Sequence, residues 1–275
     1  MTLLQLIQNA LQEDMPSGDL TTDCLALKPK PGKAYLKAKQ DLVLSGTGPF
    51  EQTMTILEPN VKIKWLFQEG QRVLKGQNIC TLDGDLVQIL KAERVALNFL
   101  GHLSGIATYT NKFVQQVEGT QTRILDTRKT TPGLRELEKR AVLHGGGANH
   151  RMNLSSAILI KDNHITVMGG IQSAVQRVRA NSHLKIEVEC GTLEDVKAAV
   201  AIKVDRLLLD NMDNEALRQA LALVPDSIET EASGNMSLER VRSVALLGVD
   251  FISVGALTHS APVADVSLLF DWSTP

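Results

Sequence analysis

The sequence predicts an α/β protein in two parts, an α+β first part followed by a parallel α/β barrel with fewer strands than the usual eight. Two observations carry this. Short apolar strands alternate regularly with helical stretches from about Thr122 onward, the pattern of parallel strands joined by helical crossovers. A polar or ionisable residue also stands at the C-terminal end of nearly every one of those strands. In a barrel such ends converge on one face, where these folds place their chemistry.

The strands are expected at 123–125, 157–160, 185–189, 206–209, 227–231 and 250–254. Helices are expected between them, for example at 193–202, 214–223 and 238–247, with Thr192, Asp213 and Ser237 placed as N-caps. Period-two alternation puts Glu187 with Glu189, Leu208 with Asp210 and Glu229 with Glu231 on shared faces. If the aliphatic residues of these strands face the helices, the carboxylates point inward. Several interior ionisable groups are costly unless paired, which favours a site over a plain packed interior. The alternative is an open doubly wound sheet, but no GxGxxG follows its first strand.

The first part reads less regularly. Residues 3–13 form an amphipathic helix that Pro16 and Gly18 end. Strand-like runs follow at 34–38, 41–46 and 61–67, and Gly70, Gly76 and Gly84 mark turns. Apolar residues at helical spacing run from Leu90 to about Val117 and link the two parts.

Composition narrows the function. The 275 residues are 43% hydrophobic and 22% charged, an ordinary globular balance. A net charge of -2 offers no electrostatic case for nucleic acid or an anionic membrane. No signal-peptide pattern or membrane span is read. Cys24, Cys80 and Cys190 form no CxxC pair, so a reducing cytoplasm is expected.

The cations cluster in strand-following loops, at Arg128, Lys129, His150, Arg151 and Lys161. One such residue is usually a solvated surface charge, but this density suits a small polyanion, and arginine suits bidentate carboxylate or phosphate contacts. Glu189 and Asp210 are strand-end carboxylates that serve either as ion-pair partners of Lys161 or Lys129 or as oxygen ligands for Mg2+ and ribose hydroxyls. Ser233 and Gly234, then Gly255 and His259, lie in βα turns that form a natural phosphate cradle or are ordinary connections. Gly145-Gly146-Gly147 is a flexible loop or a close backbone approach to a ligand. His102, His144 and His183 match no metal spacing, Cys190 faces packing, and no Ser-His-Asp or Cys-His arrangement is present.

Ordered motifs along nearly the whole chain name a family. They include Gly18-Asp19-Leu20-Thr21-Thr22, Glu93-Arg94-Val95-Ala96-Leu97-Asn98, Asp126-Thr127-Arg128-Lys129-Thr130, Asn149-His150-Arg151, Lys161-Asp162-Asn163-His164, Glu187-Val188-Glu189, Leu209-Asp210-Asn211, Glu231-Ala232-Ser233-Gly234 and Gly255-Ala256-Leu257-Thr258-His259-Ser260. The chain resembles the quinolinate phosphoribosyltransferases. The resemblance implies an N-terminal α/β sandwich, 1–104, and a C-terminal incomplete TIM-like α/β barrel, 105–275, with about six to seven parallel strands. The extreme C-terminus is left free to pack back on the first domain.

The implied reaction moves phosphoribosyl from phosphoribosyl pyrophosphate to quinolinate, with decarboxylation, in de novo NAD biosynthesis and without a covalent enzyme intermediate. By the same resemblance, Arg128, His150, Arg151 and Lys161 hold quinolinate, joined by Arg94 from a partner subunit. Lys129, Glu189, Asp210, Ser233, Gly234, Gly255 and His259 bind phosphoribosyl pyrophosphate, and Lys129, Lys161, Glu189 and Asp210 act at the reacting centre. Glu189 and Asp210 hold Mg2+, directly or through water. A homodimer with shared active sites is implied, with higher assembly left open. One departure stands at Met152-Asn153-Leu154-Ser155-Ser156, where the family more often has Gly-Leu and then Asp. A molybdenum-associated relative of the same fold usually lacks the Lys161–His164 form and the Asn before His150. A nicotinate-using phosphoribosyltransferase would not need so many cations, and a non-catalytic phosphosugar binder would not need Glu189, Asp210 and Lys129.

Overall fold

The structure, a computed structural model, describes residues 1–271. In chain order its elements are α1 (Leu3–Asp14), α2 (Leu20–Cys24), β1 (Pro31–Ala38), β2 (Leu42–Val43), α3 (Thr47–Leu57), β3 (Lys62–Trp65), β4 (Arg72–Val73), β5 (Asn78–Asp85) and α4 (Leu86–Gln116). They continue with β6 (Arg123–Leu125), α5 (Arg135–His144), β7 (Ile158–Ile160), α6 (Asp162–Met168), α7 (Ile171–Arg179), β8 (Ile186–Cys190) and α8 (Leu193–Ala201). The last are β9 (Arg206–Asp210), α9 (Asn214–Leu221), β10 (Glu229–Ser233), α10 (Leu238–Ala245), β11 (Phe251–Ser253), α11 (Ala256–His259) and β12 (Val266–Asp271). Two compact units result. One takes Met1–Asn111, Thr131–Gly146 and the segment from Ser260; the other takes Lys112–Thr130 and Gly147–His259.

The first unit is built on an antiparallel sheet in the order β12-β1-β5-β3, beside a β2–β4 ribbon. Alternation along β1 buries Ala34, Leu36 and Ala38, and these meet Leu82 of β5. Leu86, Ile89, Ala92, Ala96 and Leu100 of α4 join the same core at three- and four-residue spacing, one stripe of a helix. Thr2 caps α1 in a reciprocal box with Gln5, which fixes where that helix begins.

Two expectations change here, and a third is met. The strand read at 41–46 contracts to β2, because the Ser45 backbone leaves the ladder: its N–H donates to the Ser104 hydroxyl at 3.0 Å and its carbonyl accepts from that hydroxyl at 2.8 Å. Gly84 does not turn the chain but lies within β5 opposite Gly32, where a Cβ would come within 3.2 Å of Glu58. The end of the chain does return to this sheet, since β12 pairs with β1 from Val266 to Asp271; residues 272–275 lie outside the described residues.

The second unit holds six parallel strands in the order β6-β11-β10-β9-β8-β7. Each strand from β7 onward lies beside its successor, and the first strand pairs with the last. That cyclic order belongs to a sheet curling on itself, not to a doubly wound one. The ring is incomplete between β6 and β7. There Ala148 makes a single bridge to Leu125, donating to the Ile124 carbonyl at 2.8 Å and accepting from the Asp126 N–H at 3.1 Å. Thr192 and Asp213 cap α8 and α9 through their side chains, whereas Ser237 holds the N-cap position of α10 without a side-chain capping bond.

Candidate active site at the barrel strand ends

A cavity of about 620 Å³ opens at the C-terminal ends of the six strands. Of the residues expected to act, Arg128, Lys129, His150, Arg151 and Lys161 line it, together with Glu189 and Asp210. Ser233, Gly234, Gly255 and His259 line it as well. Arg94 does not; it is exposed on α4.

The first loop is held tightly. Lys129 donates its N–H to Thr127 at 3.0 Å, and its carbonyl accepts the buried Thr258 hydroxyl at 2.7 Å. A Cβ at Gly255 would approach the Lys129 stem to 3.0 Å, a tight contact from which the lysine would have to shift. Beside it, the Arg128 Nε is buried without a hydrogen-bond partner among the described residues. Burial lowers the pKa of the Arg151 guanidinium, and the charge of Arg128 lowers it further. Two guanidiniums that repel each other, one with an orphaned donor, are arranged for an anion.

The acidic side has a matching gap. Lys161 reaches Glu189 only at 3.8 Å. Glu189 Oε2 is buried without a hydrogen bond among the described residues. Burial raises the Glu189 pKa, Lys161 opposes the rise, and Asp210 adds to it. The ion pair is too loose to satisfy the carboxylate. Two neighbouring oxygen donors with this unmet demand for positive charge fit Mg2+.

The turns after β9 and β10 adopt unusual backbone. Asn211, Gly234 and Asn235 have φ of +55°, +91° and +49°. The Asn211 N–H donates to the Ser233 carbonyl at 3.0 Å, which ties the turns together. A Cβ on Gly234 would lie 2.3 Å from Asn211 Oδ1 and 2.9 Å from its backbone nitrogen, so glycine is required twice over.

At the cavity lies a largely buried charge cluster, in which His150 was expected in the site and Glu187, Glu231 and Arg206 were not. His150 Nε2 is 3.1 Å from Glu187 and 3.5 Å from Glu231, while Nδ1 accepts the Arg151 N–H at 2.7 Å. Asp126 accepts the His150 N–H at 2.9 Å. Arg206 bonds Glu229 at 2.7 and 3.0 Å, reaches Glu231 at 3.4 Å, and lies over Phe251. Burial works against a charged His150, but Glu187 and Glu231 outweigh it and raise its pKa. Burial and Glu187 push Glu231 up to about 7. His150, Glu187 and Glu231 are close enough to hold a metal ion, but Arg206 already supplies positive charge to Glu231. Alternation put Glu187 and Glu231 on inward faces; no local signal links Arg206 to them.

Other candidates are structural. Gly145 ends α5 where a Cβ would strike the Ala107 carbonyl at 2.4 Å, and Gly146 has a φ of +87°, so the glycine run serves packing and a turn. His102 bonds buried Glu138, His144 bonds Ser45, and His183 is exposed. Cys190 is buried, and burial pushes its thiol up to about 12, as suits packing and not a nucleophile.

A parallel barrel whose strand ends bring together anion-seeking cations, a carboxylate pair and glycine-bearing turns defines an enzyme of phosphorylated, anionic small molecules. Family models for the N-terminal and C-terminal domains of quinolinate phosphoribosyl transferase match residues 19–104 and 106–269, and the chain belongs to that family. It is 42% identical to a probable carboxylating nicotinate-nucleotide pyrophosphorylase of Synechocystis sp., over 95% of this chain and 90% of the relative. It is 38% identical to the Bacillus subtilis protein of that name, over 98% and 93%. The solved structure of the nicotinate-nucleotide pyrophosphorylase from Francisella tularensis superposes with a TM-score of 0.94 at 37% identity, covering 98% of this chain and 96% of that one.

Proposed function

We propose that this chain transfers phosphoribosyl from phosphoribosyl pyrophosphate to quinolinate and releases CO2, forming nicotinate mononucleotide and diphosphate for de novo NAD synthesis. The observation that carries the reading is the pairing of an unsatisfied Arg128 beside Arg151 with an unsatisfied Glu189 beside Asp210 in one cavity. A dianionic acceptor answers the first pair, and a metal-bound sugar diphosphate answers the second.

In this reading Arg128, Arg151 and Lys161 grip the two carboxylates of quinolinate, and His150 supports them from the cluster below. Lys129, Ser233, Gly234, Gly255 and His259 hold the phosphates. Glu189 and Asp210 hold Mg2+ and the ribose hydroxyls. Bound there, Mg2+ would offset charge on the departing diphosphate. Lys129 adds positive charge at the same place, while the carboxylates stabilise a cationic ribosyl carbon. The bond from the pyridine nitrogen to ribose leaves the ring cationic. The adjacent carboxylate then departs as CO2, leaving its electron pair on the ring carbon beside the positive nitrogen, and that carbon takes up a proton from solvent. No protein nucleophile takes part, and positioning supplies much of the rate.

The reading includes a homodimer in which the partner subunit's Arg94 completes the quinolinate site. Exposure of Arg94 on α4 is compatible with that role. Three unpaired cysteines suit the cytoplasm. Among the described residues no helix is long and apolar enough to cross a membrane. The test is to incubate the protein with quinolinate, phosphoribosyl pyrophosphate and Mg2+ and identify the product by mass. Nicotinate mononucleotide is expected; no nucleotide product, or none that needs Mg2+, refutes the reading.

A further inference from the structure

One half-buried cation outside the cavity lining bonds the backbone of its turns. Arg240 projects from α10 and donates to two backbone carbonyls, that of Gly234 at 3.1 Å and that of Met212. Those carbonyls belong to the turn after β10 and the turn after β9. The same turns hold Asn211, Gly234 and Asn235 in left-handed backbone, a conformation that glycine and asparagine tolerate better than other residues. The Asn211 N–H to Ser233 carbonyl bond at 3.0 Å and the Asn235 amide to Asn211 Oδ1 bond at 3.5 Å tie the turns together, and the planar guanidinium fork, able to grip two acceptors in fixed directions, adds a further tie.

We propose that Arg240 is a positioning residue for the phosphoribosyl subsite, locking the turn of Ser233 and Gly234 against the turn of Asp210 and Asn211. This rests on the reading that these turns receive the phosphate and the ribose. Carbonyls drawn back onto Arg240 cannot swing their oxygens toward a phosphate, which they would repel. The backbone N–H groups of the turns then keep one geometry relative to Asp210. Arg128 follows a different strand, β6, Lys161 follows β7, and Arg151 follows His150, so the quinolinate side does not depend on this brace.

The test compares Arg240→Met, which keeps the stem and loses every donor, with Arg240→Lys, which keeps the charge and fewer donors. Ser233→Ala reports on the subsite itself. The readouts are KM for each substrate measured separately and the melting temperature. Loss of two charge-assisted bonds should raise KM for phosphoribosyl pyrophosphate about ten-fold or more in Arg240→Met, with KM for quinolinate within about two-fold. Arg240→Lys should fall between, and it carries the same split should Arg240→Met not fold. Equal rises for both substrates, tracking a lower melting temperature, would mean a merely structural role and overturn the proposal. If Ser233→Ala raises KM for phosphoribosyl pyrophosphate and Arg240→Met does not, the proposal alone fails. If Ser233→Ala changes nothing while Arg240→Met still shows the split, the phosphate reading of Ser233 fails and the brace stands.

Discussion

Replacing Arg128 with alanine should separate binding from stability. The Nε of Arg128 is buried and has no partner among the described residues, so the protein itself leaves this donor unmet. Such a donor costs about 1–3 kcal/mol when left unsatisfied. Arg128 also repels Arg151, whose pKa is lowered by burial and by that charge. Removing it therefore relieves two unfavourable terms at the expense of some packing by its aliphatic stem. The melting temperature should stay level or rise. Binding behaves oppositely. A guanidinium that grips a carboxylate through two charge-assisted bonds contributes about 3–4 kcal/mol, so quinolinate affinity should fall roughly 10²- to 10³-fold. Titration calorimetry with quinolinate and with phosphoribosyl pyrophosphate, beside thermal melts, reads all three quantities. Equal losses for both ligands, or a drop of several degrees in melting temperature, would refute this account of Arg128.

Three further outcomes are expected. Gly234→Ala places a Cβ 2.9 Å from the Asn211 backbone nitrogen at a φ of +91°, so KM for phosphoribosyl pyrophosphate should rise at least about ten-fold while quinolinate binding holds; an unchanged KM would contradict the close turn contact. Glu231 keeps its proton to about 7 in the folded state, against an ordinary 4.5, so the folded state binds the extra proton between these values and stability falls as pH rises through them. Glu231→Gln cannot ionise, so melts from pH 4.5 to 8 should show a flatter slope than wild type, and identical slopes would argue against the shift. Mixing inactive Arg94→Ala with inactive Lys129→Ala subunits should restore about a quarter of wild-type activity if each site is shared across a two-fold dimer; no recovery in verified mixed dimers would argue against sharing.

The barrel was far easier to read than the first unit. Its strands are short apolar runs closed by helices whose caps, Thr192 and Asp213, are local signals, and each strand end carries its functional residue. The first unit depends on distant partners. β12 completes the sheet by pairing with β1 across more than two hundred residues, and nothing near Val266 announces it. α3 starts at Gly46 in a left-handed conformation without a side-chain cap, so the usual start signal is absent. Gly84 looked like a turn because its role is to let Glu58 and Val61 approach a strand closely. At the site, residues within motifs were legible. Arg206 and Arg240 were not, since each acts through strands or turns far along the chain, and an arginine on a strand or helix surface has no signature of its own.

The central claim is decarboxylating transfer to quinolinate, and stoichiometry tests it most directly. CO2 and diphosphate should be measured together with phosphoribosyl pyrophosphate and Mg2+, using quinolinate in one reaction and nicotinate in a parallel one. The account predicts equimolar CO2 and diphosphate with quinolinate and little of either with nicotinate. Diphosphate released with nicotinate but not with quinolinate would keep the fold and contradict the substrate.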